Sequence, residues 1–207
     1  AAGQFATLKS AGIKKVAATS FGPDGTPTEN FVLTQTVNEQ ANSLTTFSQS
    51  DYTGQSTLTS YFLATNQIAA SYDSSASLYS STTYKYNDAG LLQSMTISSN
   101  DTVQAFTMTE QHLFTYDAKG NPAAMLRIKN NTDTVNVKFL PSENGKPGEE
   151  QWWKGNRKVE TWFYYYDSKG QLTDVARFNT KAQRILPDII FEYDEDGRVS
   201  QQTTVHT

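Results

Sequence analysis

Apolar and polar residues alternate with a period of two along most of this chain. In Tyr84-Lys85-Tyr86 and in Phe191-Glu192-Tyr193, two aromatic residues flank a charged one. In an extended strand this spacing places both rings on one face and the charged side chain on the other. The alternating runs are short and end in stretches rich in Asp, Asn, Ser and Gly. The pattern therefore predicts β-strands joined by tight turns.

One design of strand and turn recurs four times. Two aromatic residues two positions apart are followed by Asp or Asn, and a glycine comes three residues later. We predict that the Asp or Asn side chain accepts backbone N–H groups two or three residues on. We also predict that the glycine takes a positive φ in a type I turn with a bulge. These structural turn residues are Asn87 and Gly90, Asp117 and Gly120, Asp167 and Gly170, and Asp194 and Gly197.

Turn glycines recur at regular intervals over the whole sequence. The marks are Gly25, Gly54, Gly90, Gly120, Gly145, Gly170 and Gly197, at intervals of 25 to 36 residues. A unit of this length holds two strands and two short connections, so seven units predict about fourteen strands. Short connections make neighbouring strands antiparallel. We predict an all-β fold, a long antiparallel meander of repeated hairpins curled into a barrel-like roll or half-barrel, with a two-sheet sandwich as the alternative.

The repeat strength divides one predicted domain, residues 1–207, into three parts. Residues 1–15 form an N-terminal segment in which Phe5, Leu8 and Gly12 have helix-like spacing. Residues 16–80 form divergent hairpins without the aromatic-Asp signature. Residues 81–207 carry the clear hairpin repeats.

Composition excludes several function classes. The net charge is -4 and Lys and Arg form no dense run, so we predict no nucleic-acid partner. Without cysteine, neither a disulfide nor a thiolate metal site can form. No apolar run approaches the ~20 residues of a spanning helix, so we predict no transmembrane segment. No phosphate loop or dinucleotide fingerprint occurs, and we predict no cofactor.

A catalytic set is not recognisable, and we predict that the chain is not an enzyme. The two histidines, His112 and His206, lack the spacing of a zinc site, and no nucleophile elbow occurs. Glu149 and Glu150 are adjacent, so on a strand they point to opposite faces and cannot act as a pair. We name no catalytic residue and no metal ligand, and a hydrolase has the least support.

The three tryptophans of the chain lie within eleven positions and give the best candidate for a binding surface. Trp152 and Trp153 are adjacent and must point to opposite faces of a strand, while Trp162 lies on the next strand. Tyr165, the central residue of Tyr164-Tyr165-Tyr166, points away from the two flanking rings. Exposed Trp side chains bind sugar rings and apolar ligands, whereas buried ones fill a core. We predict Trp152, Trp153, Trp162 and Tyr165 as ligand-binding residues, with core packing as the alternative role.

The repeat resembles the YD repeats of the bacterial Rhs family and related tyrosine-aspartate-repeat proteins. Residues 191–199 are the best copy, followed by the stretch at Tyr164, and the resemblance covers Tyr84 to the C-terminus. Asn87 departs from the pattern, as does Asn121-Pro122, which stands where Arg-Leu is common. The chain is also similar to small secreted or lipid-anchored YD-repeat proteins of the Bacteroidetes type. The resemblance implies β-hairpins and a bacterial origin.

The leading hypothesis is therefore a non-enzymatic binding or structural module. We expect it to be secreted, periplasmic or on the outer surface, with a lipid-anchored precursor as one form, because the chain starts without Met and lacks cysteine. Its ligand is unknown, and the candidate partners are a glycan, a lipid or another envelope protein. One alternative is a carrier that holds a lipid or other hydrophobic ligand in a half-barrel cavity. Another is a carbohydrate-binding surface formed by the clustered tryptophans.

Overall fold

The computed structural model describes residues 2–205, which form one helix and fifteen strands. The helix is α1 (Ala2–Ser10). The strands are β1 (Lys15–Ala18), β2 (Val32–Asn38), β3 (Ser43–Ser50), β4 (Gly54–Phe62), β5 (Ile68–Ser75), β6 (Leu78–Tyr86), β7 (Leu92–Asp101), β8 (Phe106–Tyr116), β9 (Pro122–Lys129), β10 (Asp133–Pro141), β11 (Pro147–Lys154), β12 (Arg157–Tyr166), β13 (Leu172–Asn179), β14 (Arg184–Tyr193) and β15 (Val199–Thr204).

The strands form one sheet in which each strand pairs with its neighbour in sequence, in the order β1 to β15. The prediction of an all-β antiparallel meander is confirmed. Strands β1 and β15 are the two edges, so hydrogen bonding does not close the sheet into a barrel. The described strands all belong to one sheet rather than to the two sheets of the sandwich alternative.

The chain divides into two compact units, residues 1–111 with 129–131, and residues 112–128 with 132–207. In the first unit, the predicted helix packs on the sheet through Phe5, whose side chain is fully buried. Phe5 stacks on Phe62 with ring centroids 4.2 Å apart and joins a cluster with Val37 and Leu44. Gly12 lies two residues after the end of the helix and has φ of +67°. There the N–H groups of Gly12 and Ile13 donate to the carbonyls of Lys9 and Leu8, a Schellman motif.

The second unit has a small core of its own. Met125, Val135 and Val137 are buried, and Phe114, Phe139 and Trp152 pack against them. Few of the other described side chains are buried, and the accessible surface of the chain is 13,624 Å². A compact monomer of this length exposes about 9,600 Å². The chain therefore buries less of its surface than a compact domain of the same length does.

Turns of the predicted repeat share one backbone geometry. The N–H of the first turn residue donates to the carbonyl four residues on, and the N–H of the fourth donates back to the first. At Asp117, Oδ1 accepts the N–H groups of Lys119 and Asn121, both at 2.8 Å. The Asx oxygen thus binds the donors two and four residues on, rather than two and three. Hydrogen bonds from Asn121 lower the pKa of Asp117. The four turn glycines have φ of +75°, +83°, +77° and +77° at Gly90, Gly120, Gly170 and Gly197.

The regular series of glycine marks needs one correction. Gly54 begins β4 and has φ of +66°, but its turn lacks the shared backbone pattern. The turn from Leu63 to Gln67 has that pattern instead, with Asn66 in the left-handed position at φ +63°. Asparagine tolerates this conformation better than other side chains, so a series defined only by glycines misses this turn.

Tyrosine side chains connect neighbouring hairpins at the repeat. Tyr86 donates its hydroxyl to the carbonyl of Ile68 at 2.8 Å, and Tyr193 donates to Leu172 at the same distance. In both cases the acceptor lies two residues after the left-handed residue of the preceding turn. Burial raises the pKa of Tyr86. At these two repeats, the Tyr before the Asx residue therefore links its hairpin to the preceding one.

We expect Gly90→Ala to destabilise the protein by about 1 kcal/mol, because a Cβ at positive φ is strained. The nearest atom to that Cβ is Gln67 Nε2 at 3.7 Å, an ordinary contact, so the backbone conformation alone causes the loss. Urea denaturation measures the effect. Gly3→Ala, in α1 and with open space around its Cβ, is the control and should leave stability unchanged or raise it. Equal stability of Gly90→Ala and the wild type contradicts this role of the turn.

Candidate binding groove

An open groove of about 650 Å³ lies in the second unit, where β12 begins and where the 180–183 loop joins β13 to β14. Its apolar walls include Val159, Phe178 and Ile185, which are 45%, 52% and 40% exposed. Phe178 and Ile185 are direct cross-strand partners. Exposed apolar side chains are common singly, but here three of them line one concave surface.

The charged wall of the groove is organised around Arg177. Its Nε and Nη2 donate to Asp188 Oδ2 and Oδ1 at 2.9 and 2.7 Å, a bidentate pair. Nη1 donates to Glu160 Oε1 at 2.7 Å. The guanidinium also lies over the Trp162 ring, 4.3 Å from its centroid. These contacts fix the guanidinium plane and leave Arg177 largely neutralised.

A β-bulge brings Asp188 to this position. Val175 pairs with Ile189 and Ala176 pairs with Pro187, so Asp188 is the extra residue of β14. Proline cannot donate to the ladder and occurs within sheets at edges and bulges. The bulge interrupts the period-two alternation, and the displaced Asp188 carboxylate reaches Arg177. Hydrogen bonds from Arg177 lower the pKa of Asp188.

Two lysines form the remaining basic part of the groove. Lys158 and Lys181 line it, and both are exposed. The Arg177 charge is offset by Asp188 and Glu160, whereas these two lysines have no ion pair among the described residues. The groove thus combines an exposed apolar wall with two available positive charges.

The predicted ligand-binding residues lie on two faces of the sheet. Trp152 packs against the Val137 cluster, and its Nε1 donates to Glu150 Oε2 at 3.3 Å. Glu150 is the cross-strand partner of Trp162, which places Trp152 and Trp162 on one face as diagonal neighbours. Trp153 lies on the opposite face, as its position next to Trp152 predicts.

Each tryptophan is also close to a cation. Arg127 lies 6.0 Å from the Trp152 ring centroid, and Lys138 lies 5.4 Å from that of Trp153. Tyr165 is 45% exposed and shares the face of Trp153, but several residue pairs separate the two. The four side chains therefore do not converge on one site.

Glu150 is the centre of a second polar group next to the core. Tyr164 donates its hydroxyl to Glu150 Oε1 at 2.8 Å. Burial, together with this hydrogen bond, raises the pKa of Tyr164 well above its ordinary value. Tyr164 and Trp152 together satisfy both oxygens of a carboxylate beside the Val137 cluster. The arrangement orients the Tyr164 and Trp152 rings on the core side of the sheet.

Sequence reasoning missed Arg177, Phe178 and Ile185. One signal could have indicated the cluster, because Pro187 inside a strand predicts a bulge and hence a displaced neighbour. The exposure of Phe178 and Ile185 has no comparable signal, since their alternation resembles that of a covered strand. Among the described residues, no group of three His, Cys, Asp or Glu is arranged to hold a metal ion. His112 lies beside Phe114 with ring centroids 6.4 Å apart, and His206 lies outside the described residues.

Within residues 2–205, no helix has the length and apolar character that crossing a membrane requires.

Comparisons with known proteins assign no family. No protein-family model matches the chain, and no curated protein matches it. Among solved structures, the chain is similar to a chain of the Photorhabdus luminescens Tc holotoxin pore carrying a TccC3 mutation, with 14% identity and a TM-score of 0.36. That match covers 92% of this chain and 10% of the toxin chain. This chain therefore spans a tenth of the length of the toxin chain.

We expect Asp188→Asn to lower the free energy of unfolding by about 1 kcal/mol at pH 7, because it removes the ion pair with Arg177. The loss is no larger because solvent screens the partly exposed Arg177. A lowered folded-state pKa means that the carboxylate stabilises the fold above its ordinary pKa of about 4. This contribution is lost as the pH falls through the lower folded-state value. The difference between wild type and variant in urea denaturation should therefore shrink below about pH 4.

The matched control is Asp88→Asn, which changes an exposed turn aspartate and should leave stability unchanged at both pH values. If Asp188→Asn costs the same at pH 7 and pH 3, the ion pair is not the source of the effect.

Proposed function

We propose that the chain is a YD-repeat-type, non-enzymatic binding module, and that the groove at β12–β14 binds an acidic peptide segment with apolar side chains. The observation that carries the proposal is the combination of exposed Phe178 and Ile185 with two lysines that form no ion pair within residues 2–205. Apolar contacts supply affinity, and positive charge selects acidic partners. The YD-repeat assignment is supported by the aromatic-Asx-x-x-Gly turns at Asp167 and Asp194.

The fixed Arg177 cluster supports a peptide ligand in a further way. Arg177, Asp188 and Glu160 together carry one net negative charge, and all three line the groove. Lys158 and Lys181 also line the groove and are exposed, so a ligand carboxylate beside them stays partly hydrated and its desolvation cost is small. An elongated ligand can place apolar groups on Phe178 and Ile185 and acidic groups on the lysines.

The carrier and carbohydrate hypotheses remain separate proposals. Arg177 occupies one face of the Trp162 ring, so sugar stacking at Trp162 requires the other face or a displaced guanidinium. The location that we propose, outside the cell or at the envelope, rests on the resemblance to YD-repeat proteins.

The test measures fluorescence anisotropy with a labelled decapeptide of alternating Glu and Leu. We expect Lys158→Glu with Lys181→Glu to weaken binding at least ten-fold, or about 1.4 kcal/mol, and Phe178→Ser to weaken it as well. Higher salt should weaken binding to the wild type, because the lysines are exposed. A decapeptide of alternating Lys and Leu should bind poorly.

The matched control changes Lys85 and Lys169 to Glu, which alters net charge equally at exposed sites away from the groove. Far-ultraviolet circular dichroism confirms that each variant is folded. Equal affinity of the groove variant and this control overturns the proposal. Binding to a glycan array or to phosphatidylcholine vesicles, with no response to the acidic peptide, replaces it with the carbohydrate or carrier hypothesis.

A further inference from the structure

Consecutive hairpins are linked by a side chain that follows each turn and reaches the next one. Gln171 Nε2 donates to the carbonyl of Gly197 at 3.2 Å, and Gln67 Nε2 donates to that of Gly90 at 2.7 Å. Lys146 Nζ donates in the same way to Gly170. In all three cases the donor is the residue directly after the left-handed residue of its own turn.

The register of the strands after these turns is also constant. In the strand after each turn, the residue four positions after the left-handed residue pairs with a residue of the following strand. That partner lies seven positions before the glycine of the next turn. The three pairs are Ala70 with Thr83, Glu149 with Phe163, and Asp174 with Ile190. Turn-to-turn bonding and strand register are therefore two aspects of one contact between hairpins.

Arg198 holds the donor position in the last turn of the sheet. It follows Gly197, its side chain is 73% exposed, and its guanidinium pairs with Asp196 of the same turn. A guanidinium has five N–H donors, so this pair leaves most of them available for a further carbonyl. The turn presents its linking side chain next to the edge strand β15.

Strand β15 has a bulge at Ser200, where its pairing with β14 shifts by one residue, but residues 201–204 have none of the features that protect an exposed sheet edge. All six of its residues are exposed, and Val199 to Thr204 contains no charge and no proline. Natural edges are usually blocked by lysine, proline or a bulge, because unpaired N–H and C=O groups recruit further strands. The inner side of β15 pairs with β14. The unpaired backbone groups of β15 and the Arg198 side-chain donors thus lie next to each other.

The opposite edge of the sheet provides the matching element. Strand β1 is exposed and is followed by a turn with the repeat's backbone pattern, in which Gly22 N–H donates to Thr26 and Gly25 N–H to Gly22, at 2.8 and 3.0 Å. Gly25 has φ of +79°. A strand followed by such a turn is the element that pairs with the preceding strand elsewhere in the sheet.

We propose that β15 of one copy pairs antiparallel with β1 of a second copy, so that the meander continues from chain to chain. Gln201 lies four positions after Gly197, and Ala18 lies seven positions before Gly25, so the constant register places Gln201 opposite Ala18. This register aligns all of β1 with residues 201–204 of β15. Arg198 then donates to the Gly25 carbonyl of the second copy. Phe21 lacks the hydroxyl that Tyr193 uses, so Arg198 supplies the side-chain link.

This contact is heterologous and does not close on itself, so it produces open head-to-tail oligomers. With only four residue pairs, the contact is small, and assembly should depend on concentration. Sedimentation velocity should show a weight-average mass that rises with protein concentration. A monomer at all concentrations overturns the proposal.

Disulfide trapping tests the register, because the chain has no cysteine of its own. One chain carries Thr203→Cys and another carries Val16→Cys, positions that the register sets opposite each other at a Cα separation compatible with a disulfide. Mixing and mild oxidation should yield at least ten-fold more heterodimer than Gln202→Cys mixed with Val16→Cys. That control slips the register by one residue and turns the thiol to the other face.

Arg198→Ala should lower the yield of trapped heterodimer about five-fold, the effect of one hydrogen bond. Asp196→Ala, which removes the partner of Arg198 and keeps its donors, should preserve the yield. All these substitutions are at exposed positions of the edges or the last turn, and circular dichroism checks the fold. Equal yields from the matched and slipped pairs overturn the proposal. So does a homodimer of Thr203→Cys alone at the same yield, since it shows that β15 pairs with β15.

Discussion

A turn that binds its own backbone is the constraint on which this sheet depends. In each clear repeat an Asp or Asn oxygen accepts N–H groups in the turn, and a left-handed glycine closes it, as at Asp167 and Gly170. The turn sets the pairing of its two strands, and the following side chain and a tyrosine hydroxyl then link neighbouring hairpins. Because few side chains are buried, this chain of local contacts replaces much of what a large core does in other folds.

The meander could be predicted from sequence because its turns are encoded locally. Seven residues, such as Tyr164 to Gly170, are enough to predict a turn. The aromatic spacing predicts which side chains share one face of the strand, and the Asx-x-x-Gly pattern predicts where the chain reverses direction. The misassignment at Gly54 and the missed turn at Asn66 have one cause. Glycine adopts a positive φ most readily, but asparagine and other residues also adopt it, so residue type alone does not identify the positions with positive φ. How far hydrogen bonding closes a sheet depends on contacts between distant strands, which local signals do not contain.

The candidate site was less accessible to sequence reasoning. The opposite faces of Trp152 and Trp153 follow from the period of a strand, and that expectation is confirmed by their different neighbours. The Arg177 cluster depends instead on cross-strand register and on the bulge at Asp188, which become visible only when three strands are aligned. The groove thus depends on the pairing irregularity at the end of a hairpin, whereas the regular repeat only determines where that hairpin lies in the sheet.

The most direct test of this account is hydrogen exchange measured by mass spectrometry on Asp167→Ala. If each hairpin is stabilised by its own turn and its direct neighbours, exchange should accelerate in β11 to β14 and stay unchanged in β2 to β5. Equal acceleration in both regions contradicts the account, because it shows that the sheet opens as one cooperative unit rather than hairpin by hairpin.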